Sequence, residues 1–447
     1  MKSPLIERRA CPPEATPPAL VVIVSGLHLC HNPRVLKEAD ALDAAGYRVR
    51  VLGIRVDAEL SRRDVELMRQ RNWIYEPVLD FTTPHLARRF QRWRARVLSR
   101  LARMAFQTLG QESRWQLGYA VTRLWKRARK LHADLYIAHV EQGMWAAGRL
   151  LDEGFRVGVD FEDWYSEDLP PEAWLNRPRR LLQQLESRLL RAAVHRTSAS
   201  QAMSEALAQR YGCRPPTVVY NVFPAAERAT LDGCRNDRVD LDLPSIYWFS
   251  QTIGHDRGLQ NLFAALPLLS RPVQVHLRGQ ASNPQQWIRD HVLPPHRSWV
   301  QIHPPVPNHA ILSRIMEHDI GFAGEQVFCP SRDLTVTNKL FHYILGGLAV
   351  AASDTQGQRE VLSQMPGAGQ LYHAGDPQSL ARVLNEWLGD ASRLAQARQA
   401  ALAASARFCW EVECSTLVDS VARALKQPPW QNQQPELQPA AGERDLK

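Results

Sequence analysis

Short apolar runs alternate with longer amphipathic stretches along most of the chain. Residues 20–25 are apolar and stop at Gly26, which reads as a strand entering a turn. A helix over 33–45 is closed by Gly46, and 47–52 alternates like a second strand. The pattern continues with a strand at 134–138, a helix at 144–153 closed by Gly154, and a strand at 155–161. A Leu- and Arg-rich helix at 178–193 and a short strand at 217–220 follow. Residues 224–244 turn polar, with Gly, Asn, Asp and Pro, and read as a linker.

A second alternation begins at 245–249. It runs through a helix at 259–269, strands at 273–278 and 300–303, a helix at 310–317, a strand at 320–323, a helix at 338–345 and a strand at 348–352. Two successive β/α blocks predict two doubly wound, Rossmann-like α/β domains, over 19–224 and 245–426, with 225–244 between them. Ligands of such sheets bind beyond the carboxyl ends of the strands, here in the cleft between the domains. Residues 1–18 are Pro-rich and read as loose. Residues 427–447 hold five Gln and four Pro and read as disordered.

One stretch breaks the pattern. Residues 83–130 carry 13 Lys and Arg against a single acid, Glu112, a local charge of +12. The whole chain of 447 residues has a formal net charge of +9, so the remainder is close to neutral. Within the stretch, Leu86, Phe90, Trp93, Val97, Leu101, Met104 and Leu109 recur mostly at steps of three and four, as on an amphipathic helix. A basic face beside a Trp, Phe and Leu face suits an anionic membrane surface. A basic helix solvated on a domain surface has the same pattern. Nucleic acid is not the expected partner, because no zinc-finger spacing or RNA-recognition motif accompanies the charge.

No run of apolar residues reaches the roughly 18 needed to span a bilayer. The N-terminal residues lack the apolar segment of a signal peptide, so a cytoplasmic location is expected, peripheral on the inner face of the plasma membrane if the basic segment binds lipid. The seven cysteines are scattered and form no CxxC, so neither disulfides nor a metal site is expected.

Several segments resemble one family. HNPRVLKEADALDAAGYRVRVLG (31–53), ADLYIAHVEQG (133–143), VVYNVFP (218–224) and FSQTIGHDRGLQNLFAAL (249–266) are similar to parts of the family 4, group 1 type glycosyltransferases. TNKLFHYILGGLAVAASDTQGQREVL (337–362) carries the most specific likeness. The resemblance covers roughly residues 20–425. It implies the GT-B fold and transfer of a hexosyl-type sugar from a nucleotide-sugar to a lipid-linked or polysaccharide acceptor. It also implies retention of configuration, without metal or further cofactor. A catalytically silent GT-B protein binding a glycan or nucleotide, and a sugar-nucleotide epimerase, are the alternatives.

The resemblance, with the local pattern, names candidate residues. Asn338 and Lys339 open a helix whose free N–H groups favour phosphate. Arg257 falls where the family has a diphosphate-binding cation, and Gln251 where many members carry a second one. The family's paired glutamates are Leu334 and His342 here. His342 can accept from a ribose hydroxyl through one ring nitrogen, and Glu325 is placed to supply the missing carboxylate. His139, at a strand end, is the candidate catalytic group beside the transferred sugar. Gly26 would let the donor approach the backbone. Arg34 is expected at the acceptor or the donor phosphate, or in a surface ion pair. Glu162, Asp163 and Trp164 are expected to bind the acceptor: acids for hydroxyls, a ring face for sugar C–H surface.

Overall fold

The computed structural model describes residues 17–82, 86–238, 240–254 and 257–430. The expected loose N-terminus up to residue 16 and the tail from 431 onward lie outside the described residues. The first sheet holds β1 (Leu20–Val24), β2 (Arg48–Arg55), β3 (Ile74–Asp80), β4 (Leu135–Ala138), β5 (Val157–Phe161), β6 (His195–Ser198) and β7 (Thr217–Val218). The second holds β8 (Ser245–Thr252), β9 (Gln274–Gln280), β10 (Val300–His303), β11 (Ile320–Ala323), β12 (Ala349–Ser353) and β13 (Gly369–Tyr372). Their orders are β3-β2-β1-β4-β5-β6-β7 and β10-β9-β8-β11-β12-β13, and every pairing is parallel. Order reverses beside β1 in one sheet and β8 in the other, so each sheet opens a crevice at its strand ends there.

The central strands are buried on both faces, which is why they read as apolar runs. Three strands escape that signal. β3 is an edge strand containing Pro77 and is mostly half-buried. β6, His-Arg-Thr-Ser, is polar but enclosed, because its side chains are bonded: His195 Nδ1 lies 3.0 Å from Ser420 Oγ, and Thr197 Oγ1 donates to Asp160 at 2.5 Å. β13 is a four-residue strand at the far edge, three of its residues half-buried and only Tyr372 fully enclosed.

Two parts of the domain plan differ from the sequence reading. The closing helix, Trp410–Lys426, falls within the stretch assigned to the second domain but packs on the first sheet, with Val421 and Ala424 against Val21 and Ile137. Its apolar face marks it as a docked helix without saying which sheet receives it. Residues 225–244 are not a free linker either. Glu317 accepts from the N–H groups of Asn236, Asp237 and Arg238 at 2.9, 2.7 and 3.2 Å, and Arg278 pairs with Asp237. The strap is thereby tied to the second domain.

The basic segment divides into unlike parts. Helix Val121–Ala128 is the buried crossover before β4, with Val121, Leu124 and Ala128 in the core. Its last turn is partly neutralised, Arg127 by Glu76 and the neighbouring Arg129 by Glu153. Helix Leu86–Leu109 is different: it rests on the turn Pro171–Asn176 and turns an apolar stripe outward. Phe90 is 61% exposed, Trp93 60%, Leu101 54% and Met104 54%.

Candidate active site

The first-domain half of the cleft is built on four buried charges. Helix Pro33–Ala44 follows β1 and brings Arg34 and Glu38, one turn apart, onto its inner face with Val35, Ala39 and Leu42. Arg34 grips Asp160 at the end of β5 with two bonds of 2.7 Å, and its third nitrogen donates to the Val219 carbonyl at 2.8 Å. It is therefore neither a surface ion pair nor free for a substrate. Burial works against Asp160's charge, but Arg34 and then His139 outweigh it and hold the carboxyl well below the usual range.

His139 ends β4 as expected, yet its ring is fully enclosed. Nε2 pairs with Glu38, and Nδ1 lies 3.4 Å from Asp160 Oδ2 without a hydrogen bond. Burial disfavours the imidazolium, but Glu38 and then Asp160 prevail and raise its pKa above the ordinary value. An enclosed imidazole whose Nε2 is already paired with Glu38 turns no ring nitrogen toward the cleft. The structure thus places His139 behind the cleft floor, where it does not reach a reacting sugar. Val140, next in the chain, has φ +52°, a costly conformation for a β-branched residue.

Gly26 has φ +75°, but its open side faces protein: an added Cβ would lie 2.8 Å from Leu124 and 3.1 Å from Gln142. Trp164 also differs from expectation. It is buried in the first-domain core, its indole N–H donates to Glu186 at 3.2 Å, and it meets Tyr211 edge-on. It offers no ring face to a glycan. Glu162 and Asp163 do stand half-buried at the floor. Burial, then Asp163, pushes Glu162 up to about 7, while burial also raises Asp163. Asp168 is pushed up to about 7, chiefly by burial, although Arg177 lies 3.0 Å away.

The second-domain half gathers at the β8/β11 crevice. Thr337 precedes helix Asn338–Gly346 and gives it no side-chain cap; its carbonyl accepts only from the Leu340 N–H, at 3.1 Å, among the first-turn groups described. Asn338 is exposed, and Lys339 Nζ bonds Glu325 Oε1 at 2.7 Å. Glu325 is therefore held on Lys339. Burial opposes its charge, but Lys339 wins and lowers its pKa. Arg257 is exposed beside Gly258, whose φ is +73°. A Cβ there would lie 2.4 Å from the Gly324 carbonyl, so only glycine lets the Arg257 turn pack onto the Glu325 loop. Gln251 is exposed near the end of β8.

His342 and Leu334 leave the chemistry of the cleft altogether. His342 is buried against Phe223 and Phe249, and burial, then Lys37, pushes its pKa down to about 3. Its neutral ring packs the seam between domains instead of facing a ribose. Leu334 lies in the first domain's core cluster, and its carbonyl accepts from Ser200 Oγ at 2.6 Å. Ser331 Oγ accepts from the Trp164 N–H at 3.0 Å. The sequence reading passed over Lys37, Glu38 and Arg332. Glu38 had a signal: it repeats Arg34 one turn later, on the apolar side of its helix.

By sequence, the chain matches no family model and no curated protein. By structure it is similar to a glycosyltransferase from Rickettsia africae, with a TM-score of 0.62 and 12% identity over 92% of this chain and 99% of that one. The fold is GT-B. Anabaena HepE in complex with UDP and glucose aligns with a TM-score of 0.61 and 16% identity, over 91% of this chain and 99% of that one. WaaG, a glycosyltransferase involved in lipopolysaccharide biosynthesis, aligns with a TM-score of 0.57 and 11% identity, again over 91% and 99%. In this GT-B chain, the crevice beside β8 and the floor beside β5 lie on facing domains, bridged by helix Pro330–Leu334.

Proposed function

We propose that this protein is a GT-B glycosyltransferase that moves a hexosyl-type sugar from a nucleoside-diphosphate sugar to a lipid-linked or polysaccharide acceptor. The observation that carries this is the uncapped start of helix Asn338–Gly346, with Lys339 in its first turn and the Arg257 turn nearby, at the β8/β11 crevice. Aligned N–H groups and fixed cations stabilise the charge that develops on a departing diphosphate. The UDP complex of HepE supports a nucleotide-sugar donor. Retention and independence from metal rest on the sequence resemblance alone.

Glu162 and Asp163 would hold acceptor hydroxyls from the opposite floor. The Arg34–Asp160–His139–Glu38 cluster keeps that floor rigid. The exposed stripe of helix Leu86–Leu109 supports a peripheral site on an anionic inner membrane surface, as does its seat on the turn Pro171–Asn176, a few residues beyond Glu162 and Asp163. Among the described residues no helix is long and apolar enough to cross a membrane.

The test is transfer from labelled UDP-, GDP- and dTDP-sugars to a membrane extract. Label in the lipid or polysaccharide fraction, with release of the nucleoside diphosphate, is expected. No transfer from any donor would point to a silent binding protein. A changed sugar configuration without acceptor would point to an epimerase.

A further inference from the structure

Arg332 stands on the short helix Pro330–Leu334 that bridges the cleft. Its neighbours fix it there: Ser331 is bonded to Trp164, and Leu334 is buried in the first domain and bonded to Ser200. The guanidinium is half-buried, and among the described residues it has no hydrogen bond or ion pair. Its Cζ lies 5.9 Å from the Phe328 ring. It is near enough to favour the charged forms of Asp163 and Asp168 on one domain and Glu325 on the other.

Apart from the exposed Arg257, the surrounding cations are already committed. Arg34 holds Asp160, Arg177 holds Glu141 and Asp168, and Lys339 holds Glu325. Arg257, exposed on its own turn, is a single charge beside the helix start and a neutralised lysine; a nucleoside diphosphate brings more negative charge than these balance, and Gln251 adds none. A guanidinium without a polar partner among the described residues, half out of water, has its donors in the planar fork that matches phosphate oxygens.

We propose that Arg332 is a donor-site cation of this chain: it reaches from the bridging helix to the donor's diphosphate. The assignment rests on the glycosyltransferase reading above. It would make diphosphate binding depend on a residue locked to the first domain, so that donor affinity and closure of the cleft are linked.

The experiment is calorimetric binding of UDP, GDP and dTDP, and of the monophosphate of whichever binds, to the full chain. Wild type is compared with Arg332→Ala, Arg332→Lys and the exposed control Arg393→Ala. Arg332→Ala should lose at least about tenfold in diphosphate affinity, and much less for the monophosphate. Arg332→Lys should fall between, and Arg393→Ala should match wild type. An unchanged ratio of diphosphate to monophosphate affinity in Arg332→Ala, whether both hold or both fall, would overturn the assignment and leave the proposed function standing. A wild type that binds none of the three diphosphates would overturn both.

Discussion

The imidazole of His342 lies flat on the ring of Phe223, with 3.3 Å between ring centroids and 18° between planes. Phe223 sits where the chain leaves the first domain, and its carbonyl accepts from Trp410 N–H at 3.0 Å, where the closing helix returns. Phe249 meets the imidazole edge-on, and Lys37 Nζ stands 5.1 Å from the Phe223 ring and 5.0 Å from Trp410. His342 thus belongs to the joint between domains.

That stack predicts an acid sensitivity. His342 stays neutral in the folded chain down to about pH 3, whereas the unfolded chain protonates it near 6.5. The unfolded state therefore binds the extra proton in this window, and stability falls as pH drops from about 6.5 toward 3, by up to about 1.4 kcal/mol per unit. His342→Phe keeps the ring packing and removes the proton site. Urea denaturation at pH 7 and pH 5 should show a smaller acid loss for the variant than for wild type. Equal losses would refute the assignment.

Breaking the floor cluster should be costly. Asp160→Asn leaves Arg34 buried without its counter-charge and weakens the hold on His139. About 3–5 kcal/mol of folding stability should disappear, measured by the shift in urea midpoint. A loss near zero would show that the cluster is not the rigid unit described.

The outward stripe of helix Leu86–Leu109 should bind lipid. Phe90, Trp93, Val97, Leu101 and Met104 fall on one face at steps of three and four, with Arg92, Arg96, Arg100 and Arg103 exposed along its flank. Phe90 and Trp93 stack at 5.7 Å. Wild type should co-sediment with vesicles rich in anionic phospholipid and not with neutral ones. Changing the four arginines to Gln should remove on the order of 1 kcal/mol each of attraction, and Trp93→Ser should weaken what remains. Thermal unfolding of both variants should match wild type, because these side chains face away from the core. Binding of the arginine variant equal to wild type would refute the role.

What the sequence determined by itself was local. Apolar runs of strand length, separated by helical periods, specify two parallel sheets because a buried parallel strand has to be apolar on both faces. The uncapped helix start at Asn338 and the concentration of charge in 83–130 are equally local, since both depend on neighbours in the chain. Tertiary structure alone decided which charges are free. Arg34 meets Asp160 across 126 positions, His139 meets Glu38 across 101, and Ser200 reaches Leu334 across 134. Those pairings follow from crossovers that set the helix after β1 beside the ends of β4 and β5, and from the approach of the two domains. A short helix that spans the cleft leaves Arg332 without a hydrogen-bond or ion-pair partner among the described residues, and a closing helix that crosses back fixes the joint around His342. Neither leaves a periodic trace, because burial of a charged or polar side chain depends on what the fold brings against it.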